Sequence, residues 1–178
     1  YDEPGGATIR LPVAIIRSPN PNPAPDPLLY TAGGPGSSSL PAVWWFAASD
    51  YVADRDVIIL EQRGNRYAEP SLMCDLSVWW EENEGDTACL DSLLAAGIDP
   101  TDYTTQSIVA DLDALRRVLE VDQWNLFGIS YGTRLALTVM RDHPEGIRSV
   151  VLDSPYPLTV NLQIDTIANN LANVNTTG

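Results

Sequence analysis

The sequence has no lysine, a single histidine and only two cysteines among its 178 residues. Without lysine it cannot form a Walker-type phosphate-binding loop, which needs a lysine on the β- and γ-phosphates. Two cysteines without a Cys-x-x-Cys motif or a Cys/His cluster do not make a zinc site, so we expect neither metal nor cofactor.

No apolar run approaches the roughly 18 residues of a membrane-spanning helix, and no signal peptide is visible. Because the first residue is Tyr1 rather than Met, we expect that upstream residues were removed.

Positive charge is also scarce. The formal net charge is −14, and all ten basic residues are arginine. Because such a chain repels phosphate groups, we expect it to bind neither nucleic acid nor an anionic membrane surface. The charge says nothing further about its chemistry.

The two cysteines, Cys74 and Cys89, flank an acidic stretch that has the composition of a loop. A disulfide that closes this loop of about 15 residues would contribute roughly 3 kcal/mol in the chain-entropy model. Such a bond implies an oxidising compartment, so we expect a secreted protein, either extracellular or periplasmic. Two unpaired thiols remain the alternative.

Strand and helix patterns alternate along most of the chain, which predicts an α/β fold with a parallel sheet and right-handed crossovers. We assign 1–156 to the core and the polar tail 157–178 to the start of a lid or connecting segment. The predicted core segments are edge strands within 7–17, a proline-rich loop over 18–27, strands over 28–31 and 57–60, a helix over 108–119, a strand over 124–127, a helix over 133–142 and a strand over 149–152.

The run Gly128-Ile129-Ser130-Tyr131-Gly132 fits the G-x-S-x-G nucleophile elbow. It lies between a predicted strand and a predicted helix, as an elbow must. The sharp turn lifts the serine hydroxyl clear of the sheet and directs the first N–H groups of the helix at the reacting carbonyl. The motif therefore predicts Ser130 as a catalytic nucleophile.

A second glycine run, Gly33-Gly34-Pro35-Gly36, follows the strand that ends near residue 32. Acyl transfer needs two backbone donors for the developing oxyanion. We predict the N–H of Tyr131, which follows the nucleophile, and that of Gly34, because Pro35 has no N–H to offer.

These motifs, taken together, resemble the tripeptidyl and prolyl aminopeptidase branch of the α/β-hydrolases. The matching runs are 26–30 leading to 33–36, 55–57 leading to Glu61-Gln62-Arg63-Gly64, 103–105, 111–112, 124–126, 128–134 and 152–154. There are two departures from the family pattern: Ala32 replaces a histidine, and 65–67 replaces the usual residues after Arg63-Gly64. The resemblance implies the N-terminal part of an α/β-hydrolase core, with Arg63 as a structural anchor near the site. It also implies a serine peptidase that releases residues or short peptides from free N-termini.

A serine nucleophile needs a base, usually a histidine oriented by a carboxylate. The only histidine, His143, is predicted at the far end of the helix that follows Ser130, too distant to act. Asp153 is a candidate acid, although the family pattern places the acid one strand later. We therefore expect the acid and the histidine on a C-terminal fragment or a second chain. A carboxylesterase and a non-catalytic binding module remain the alternative functions, and the substrate is expected to be a peptide or an ester.

Overall fold

The computed structural model describes residues 8–73 and 84–155, the side chains of 84–87 excepted. They form a five-stranded sheet in the order β1-β3-β2-β4-β5, in which only β1 is antiparallel to its neighbour. The strands are β1 (Val13–Ile16), β2 (Ala24–Thr31), β3 (Arg55–Leu60), β4 (Trp124–Ile129) and β5 (Ile147–Asp153). The helices are α1 (Val43–Ala47), α2 (Glu84–Ala95), α3 (Thr105–Val118) and α4 (Tyr131–Asp142). The predicted α/β class, with parallel strands joined by helical crossovers, is confirmed.

Strand β3 is buried on both faces, as its unbroken apolar run predicts. Val57 and Ile59 pack in a cluster with Phe46 of α1 on one face of the sheet. Ile58 and Leu60 alternate with them and pack in the cluster that α3 and α4 form on the other face. The two-residue period of the strand thus divides the core into two layers around the sheet.

The predicted loop over 18–27 is wrong at its C-terminal end, because β2 already begins at Ala24. Between Ala24 and Leu28 the register with β3 shifts: four steps along β2 match two steps along β3. Pro25 and Pro27 lie inside this irregularity, where the regular ladder does not require their missing N–H groups. A bulge therefore lets a proline-rich segment enter a central strand.

The helices agree in part with the prediction. The side chain of Thr104 caps α3 by accepting a hydrogen bond from the backbone N–H of Ser107. The stretch between the cysteines is not wholly loop, because α2 begins at Glu84. Alanine and leucine are frequent from Ala88 onward, and these residues favour a helix.

The sheet has two edges in the described part of the chain. Strand β1 forms one of them, consistent with the predicted edge strand, and Pro12 lies just outside it. Strand β5 forms the other, and its Val151 side chain is 52% exposed. Among the described helices, none combines the length and the apolar character that crossing a bilayer requires. The tail 157–178 lies outside the described residues, so its assignment as a lid stays a prediction.

Candidate active site

Ser130 occupies the single residue between the end of β4 and the start of α4. Its backbone has φ 53° and ψ −118°, a region that non-glycine residues rarely enter. Such strain persists only where the surrounding structure enforces it, and it is concentrated at functional sites. The side chain is half-buried at the carboxyl end of the parallel strands.

The two motif glycines make this turn sterically feasible. A Cβ atom on Gly132 would lie 2.1 Å from the carbonyl oxygen of Thr31, and one on Gly128 would lie 2.5 Å from the carbonyl oxygen of Gly132. Both distances are far inside van der Waals contact. The chain can therefore turn from β4 into α4 beside β2 only with glycine at these positions.

Hydrogen bonds fix the turn on both sides. The Ser130 N–H donates to the carbonyl of Asp153 at 3.0 Å, which joins the elbow to the end of β5. The carbonyl of Ser130 accepts from the N–H and the hydroxyl of Thr133, at 2.9 and 2.6 Å. The hydroxyl of Thr31 donates to the carbonyl of Gly132 at 3.1 Å. Neighbouring strands and the first turn of α4 thus enforce the strained conformation.

The second glycine run lies against the nucleophile. A Cβ atom on Gly33 would lie 3.0 Å from Ser130 Cβ and 3.5 Å from Ser130 Oγ. Gly34 has φ 113° and is exposed, so its position also requires glycine. The structure therefore brings the two predicted motifs together, while the assignment of the Gly34 and Tyr131 N–H groups to an oxyanion hole stays a prediction.

Tyr131 is held through its side chain as well. Its ring is buried, and its hydroxyl forms a 2.9 Å hydrogen bond with Thr105 Oγ1 at the start of α3. The first residue of α4 is therefore fixed to a second helix.

Arg63 ties α3 to the segment after β3, as the family resemblance implies for an anchor. Its guanidinium donates two 2.6 Å hydrogen bonds to the carboxylate of Asp111 and a third to the carbonyl of Asp102. The paired side chains are only 9% and 4% exposed. The pKa of Tyr103 is raised, because burial and the charge of Asp102 together outweigh the lowering effect of the Arg63 charge.

Three residues support the glycine run, a role that the sequence analysis did not assign to them. Glu61, Gln62 and Asn65 are all buried, and all three form hydrogen bonds with the segment after β2. Their partners lie 22 to 30 residues away along the chain. Polar residues directly after a buried strand were the only sequence feature that could have indicated this role.

His143 lies where the sequence places it, at the C-terminal end of α4. A helix of 12 residues rises about 18 Å, so His143 cannot serve Ser130. Its Nδ1 is 3.5 Å from a carboxylate oxygen of Asp113. These two residues and Glu145 could bring three ligand atoms around one ion, but Asp113 is already paired with the two arginines at 116 and 117.

Asp153, the candidate acid, ends β5 directly opposite Ile129 in the register of β4. It is exposed, and its carboxylate accepts a 3.1 Å hydrogen bond from the hydroxyl of Ser154. In the described residues no histidine approaches it, because the only histidine of the chain is at the opposite end of α4.

Comparison with known proteins agrees with this geometry. The family model described as alpha/beta hydrolase fold matches residues 26–177. Proline iminopeptidases of Neisseria gonorrhoeae and of Lactobacillus delbrueckii subsp. bulgaricus are 28% and 33% identical over 131 and 132 residues. The alignments cover 74% and 72% of this chain, but only 33% and 35% of those proteins. The chain thus spans about a third of the length of the curated relatives it matches.

Solved structures show the same fold. A proline iminopeptidase from Mycobacterium smegmatis superposes with a TM-score of 0.55 at 21% identity, covering 79% of this chain and 38% of that one. An epoxide hydrolase from Bacillus megaterium superposes with a TM-score of 0.55 at 15% identity, covering 92% and 46%. The elbow at Ser130, the adjoining glycine run and the family match over 26–177 together show that this chain belongs to the α/β-hydrolase fold family, within which it resembles the prolyl aminopeptidases.

Proposed function

We propose that the protein is a serine hydrolase in which Ser130 forms an acyl-enzyme. The observation that carries the proposal is the strained backbone of Ser130, enforced by glycines at 128 and 132 and by hydrogen bonds from two neighbouring elements. A turn of this kind keeps a hydroxyl exposed at the top of the sheet. An ordinary surface serine needs neither the strain nor the glycines.

In the proposed reaction Ser130 Oγ bonds to the substrate carbonyl carbon and transfers its proton to a base. The carbonyl oxygen becomes an oxyanion, and in this proposal it accepts hydrogen bonds from the N–H groups of Tyr131 and Gly34. The tetrahedral intermediate collapses, and the leaving amine departs with the proton. Water then attacks the acyl-enzyme by the same route in reverse and frees the serine.

The base is proposed to be a histidine outside these 178 residues, together with an acid that orients it. The only histidine of the chain is too far from Ser130, and the alignment covers only a third of the length of the curated relative. A C-terminal fragment or a second chain could supply both groups. The isolated 178-residue chain is therefore expected to react with an organophosphonate far more slowly than the full protein.

We propose a peptide substrate with a free N-terminus, from which the enzyme releases single residues or short peptides. The support is the match to proteins named proline iminopeptidase, at 28% to 33% identity. The superposed structures have less than 25% identity and establish the fold alone. Secretion to an oxidising compartment remains part of the proposal, since it depends on a disulfide between Cys74, which lies outside the described residues, and Cys89.

Substrate assays on the full protein test this function. Proline 4-nitroanilide and a tripeptide 4-nitroanilide are compared with their N-acetylated forms and with 4-nitrophenyl butyrate. We expect rapid release of 4-nitroaniline from the free substrates and a large loss on acetylation. Hydrolysis of the ester alone would show a carboxylesterase instead, and no turnover of any substrate would favour the binding module.

A further inference from the structure

The glycine run beside Ser130 is held at both of its ends by amide side chains from the segment after β3. Gln62 Nε2 donates to the carbonyl of Ala32 at 3.3 Å, immediately before the run. Asn65 Nδ2 donates to the carbonyl of Ser37 at 2.8 Å, immediately after it. The two amides therefore fix the residues that flank Gly33–Gly36, and both do so through carbonyl groups rather than through N–H groups.

A buried carboxylate extends this support. Glu61 is fully buried, and its Oε2 accepts hydrogen bonds from the hydroxyl of Ser38 at 2.8 Å and from the N–H of Ser39 at 2.9 Å. Its Oε1 accepts from the N–H of Tyr67 at 3.3 Å. Within the described ranges, hydrogen bonds rather than an ion pair with an arginine satisfy this carboxylate. Removing its charge would leave buried donors short of an acceptor.

The glycine run needs support from neighbouring residues because its glycines carry no side chains that could fix the backbone. Gly34 and Gly36 both have positive φ, at 113° and 92°, and a Cβ on Gly36 would touch nothing within 4 Å. Such a backbone is free to move unless neighbouring groups fix it. An oxyanion hole, in contrast, stabilises a transition state only when its donors are preorganised.

We propose that Glu61, Gln62 and Asn65, here called the clamp, are positioning residues that set the backbone of Gly33–Gly36 so that an N–H group faces the oxyanion. This inference rests on the proposed function of Ser130. The clamp does not touch the substrate in this account. Its loss should therefore weaken stabilisation of the transition state much more than binding of the substrate.

The test uses the full protein and its best 4-nitroanilide substrate. Asn65→Asp keeps the size of the side chain but places a carboxylate oxygen opposite the carbonyl of Ser37. Gln62→Met removes the donor to Ala32 with little change of volume and is the milder second variant. Gln123→Glu is the matched control, because Gln123 Nε2 also donates to carbonyls, of Glu145 and Ile147, at the opposite end of the sheet.

We expect kcat to fall about tenfold to hundredfold in Asn65→Asp and less in Gln62→Met, with KM nearly constant, as for a small displacement of a catalytic group. A boronate transition-state analogue should lose affinity by the same factor, while competitive inhibition by the product proline stays unchanged. Gln123→Glu should retain the wild-type kcat and inhibitor affinity, even if it melts earlier. A merely structural role would lower the titrated fraction of active enzyme and leave kcat per active site unchanged.

Wild-type kcat and boronate affinity in both clamp variants would overturn the clamp, and so would an equal loss in Gln123→Glu. These outcomes are distinct from a failure of the proposed function. In that case the wild-type protein itself would turn over neither the 4-nitroanilides nor the ester and would not bind the boronate, and the clamp would fall with it.

Discussion

The two ends of the parallel strands are held together in different ways. At the amino ends, buried Asp26 of β2 accepts hydrogen bonds from Arg55, Asn125 and Arg148, one from each of the other parallel strands. At the carboxyl ends, the nucleophile is fixed by close backbone packing of glycines and by hydrogen bonds to carbonyl groups. Charged side chains thus connect the strands at the end remote from Ser130, whereas the backbone conformation positions the nucleophile at the carboxyl end.

This division indicates that stability and catalysis can be changed separately. Burial raises the pKa of Asp26, but the hydrogen bonds from Asn125 and Arg55 and the charges of Arg55 and Arg148 outweigh it and hold that pKa below its ordinary value. The folded state therefore favours the ionised form of Asp26. Ser130, in contrast, contributes a strained conformation, which costs stability and serves only the chemistry.

The largest expected effect is on activity at the carboxyl end. Ser130→Ala in the full protein should lower kcat by roughly four to six orders of magnitude, on the scale known for nucleophiles of this type. The free energy of unfolding of this variant should not fall, because the Ser130 hydroxyl forms no hydrogen bond with the described part of the chain. Steady-state kinetics and urea unfolding measure the two quantities, and Ser92→Ala on the exposed face of α2 is the control. A variant that keeps more than about a hundredth of the activity would contradict the assignment.

Gly132→Ala tests whether backbone packing is decisive at this end. The added Cβ would lie 2.1 Å from the carbonyl oxygen of Thr31, so β2 and α4 must separate. We expect destabilisation by about 4 kcal/mol, at the upper end of single-substitution effects. Gly97→Ala is a useful control, because a Cβ there has open space and only the positive φ of 75° opposes it. Equal unfolding midpoints for the two variants would argue against tight packing at the elbow.

Much of the fold and of the candidate site could be predicted from the sequence. The elbow was predictable because its steric requirements fall on glycines two residues from the serine, within one local motif. The contacts of the clamp and of the Asp26 cluster were not, because they join residues far apart in the sequence. The clamp lies 22 to 30 residues from its partners after β2, and Asp26 lies 122 residues from Arg148. Only the strand register decides which of these polar side chains meet. The start of β2 was missed for a related reason, since a bulge admits prolines that normally exclude a central strand.

Asp26→Asn is the counterpart at the amino end, where we expect a loss of stability without a loss of kcat. Asp26 is buried, but its partners Arg55 and Arg148 are 31% and 58% exposed, so the cost should lie at the lower end of the range for a buried pair, about 3 kcal/mol. Glu69→Gln is the matched control, because its pair with Arg10 is 70% to 80% exposed and should contribute less than about 1 kcal/mol. Urea unfolding at pH 7 gives both values.

The pH dependence of the same variant sharpens this prediction. Because the folded-state pKa of Asp26 is lowered, its contribution is complete above the unfolded-state value of about 3.9 and is lost as the pH falls through the folded-state pKa. The stability difference between wild type and Asp26→Asn should therefore be constant from pH 7 to about 5 and shrink below about 4. A difference that stays constant down to pH 2 would contradict the charge-based account.

The smallest expected effect concerns the two cysteines. If Cys74 and Cys89 are paired, denatured and unreduced protein should contain no free thiol in a thiol-reagent assay. Reduction should lower the free energy of unfolding by up to about 3 kcal/mol without lowering kcat. Two free thiols per chain would refute the pairing, and with it the argument for an oxidising compartment.

Covalent labelling of the full protein with a fluorophosphonate tests the central claim most directly, since the reagent reports the nucleophile itself. Intact mass and peptide mapping should show one adduct per chain, located on Ser130, with activity lost in step with labelling. Ser130→Ala should remain unlabelled under the same conditions. An adduct on a different residue, or an active enzyme that is never modified at Ser130, would contradict the assignment of Ser130 as the nucleophile.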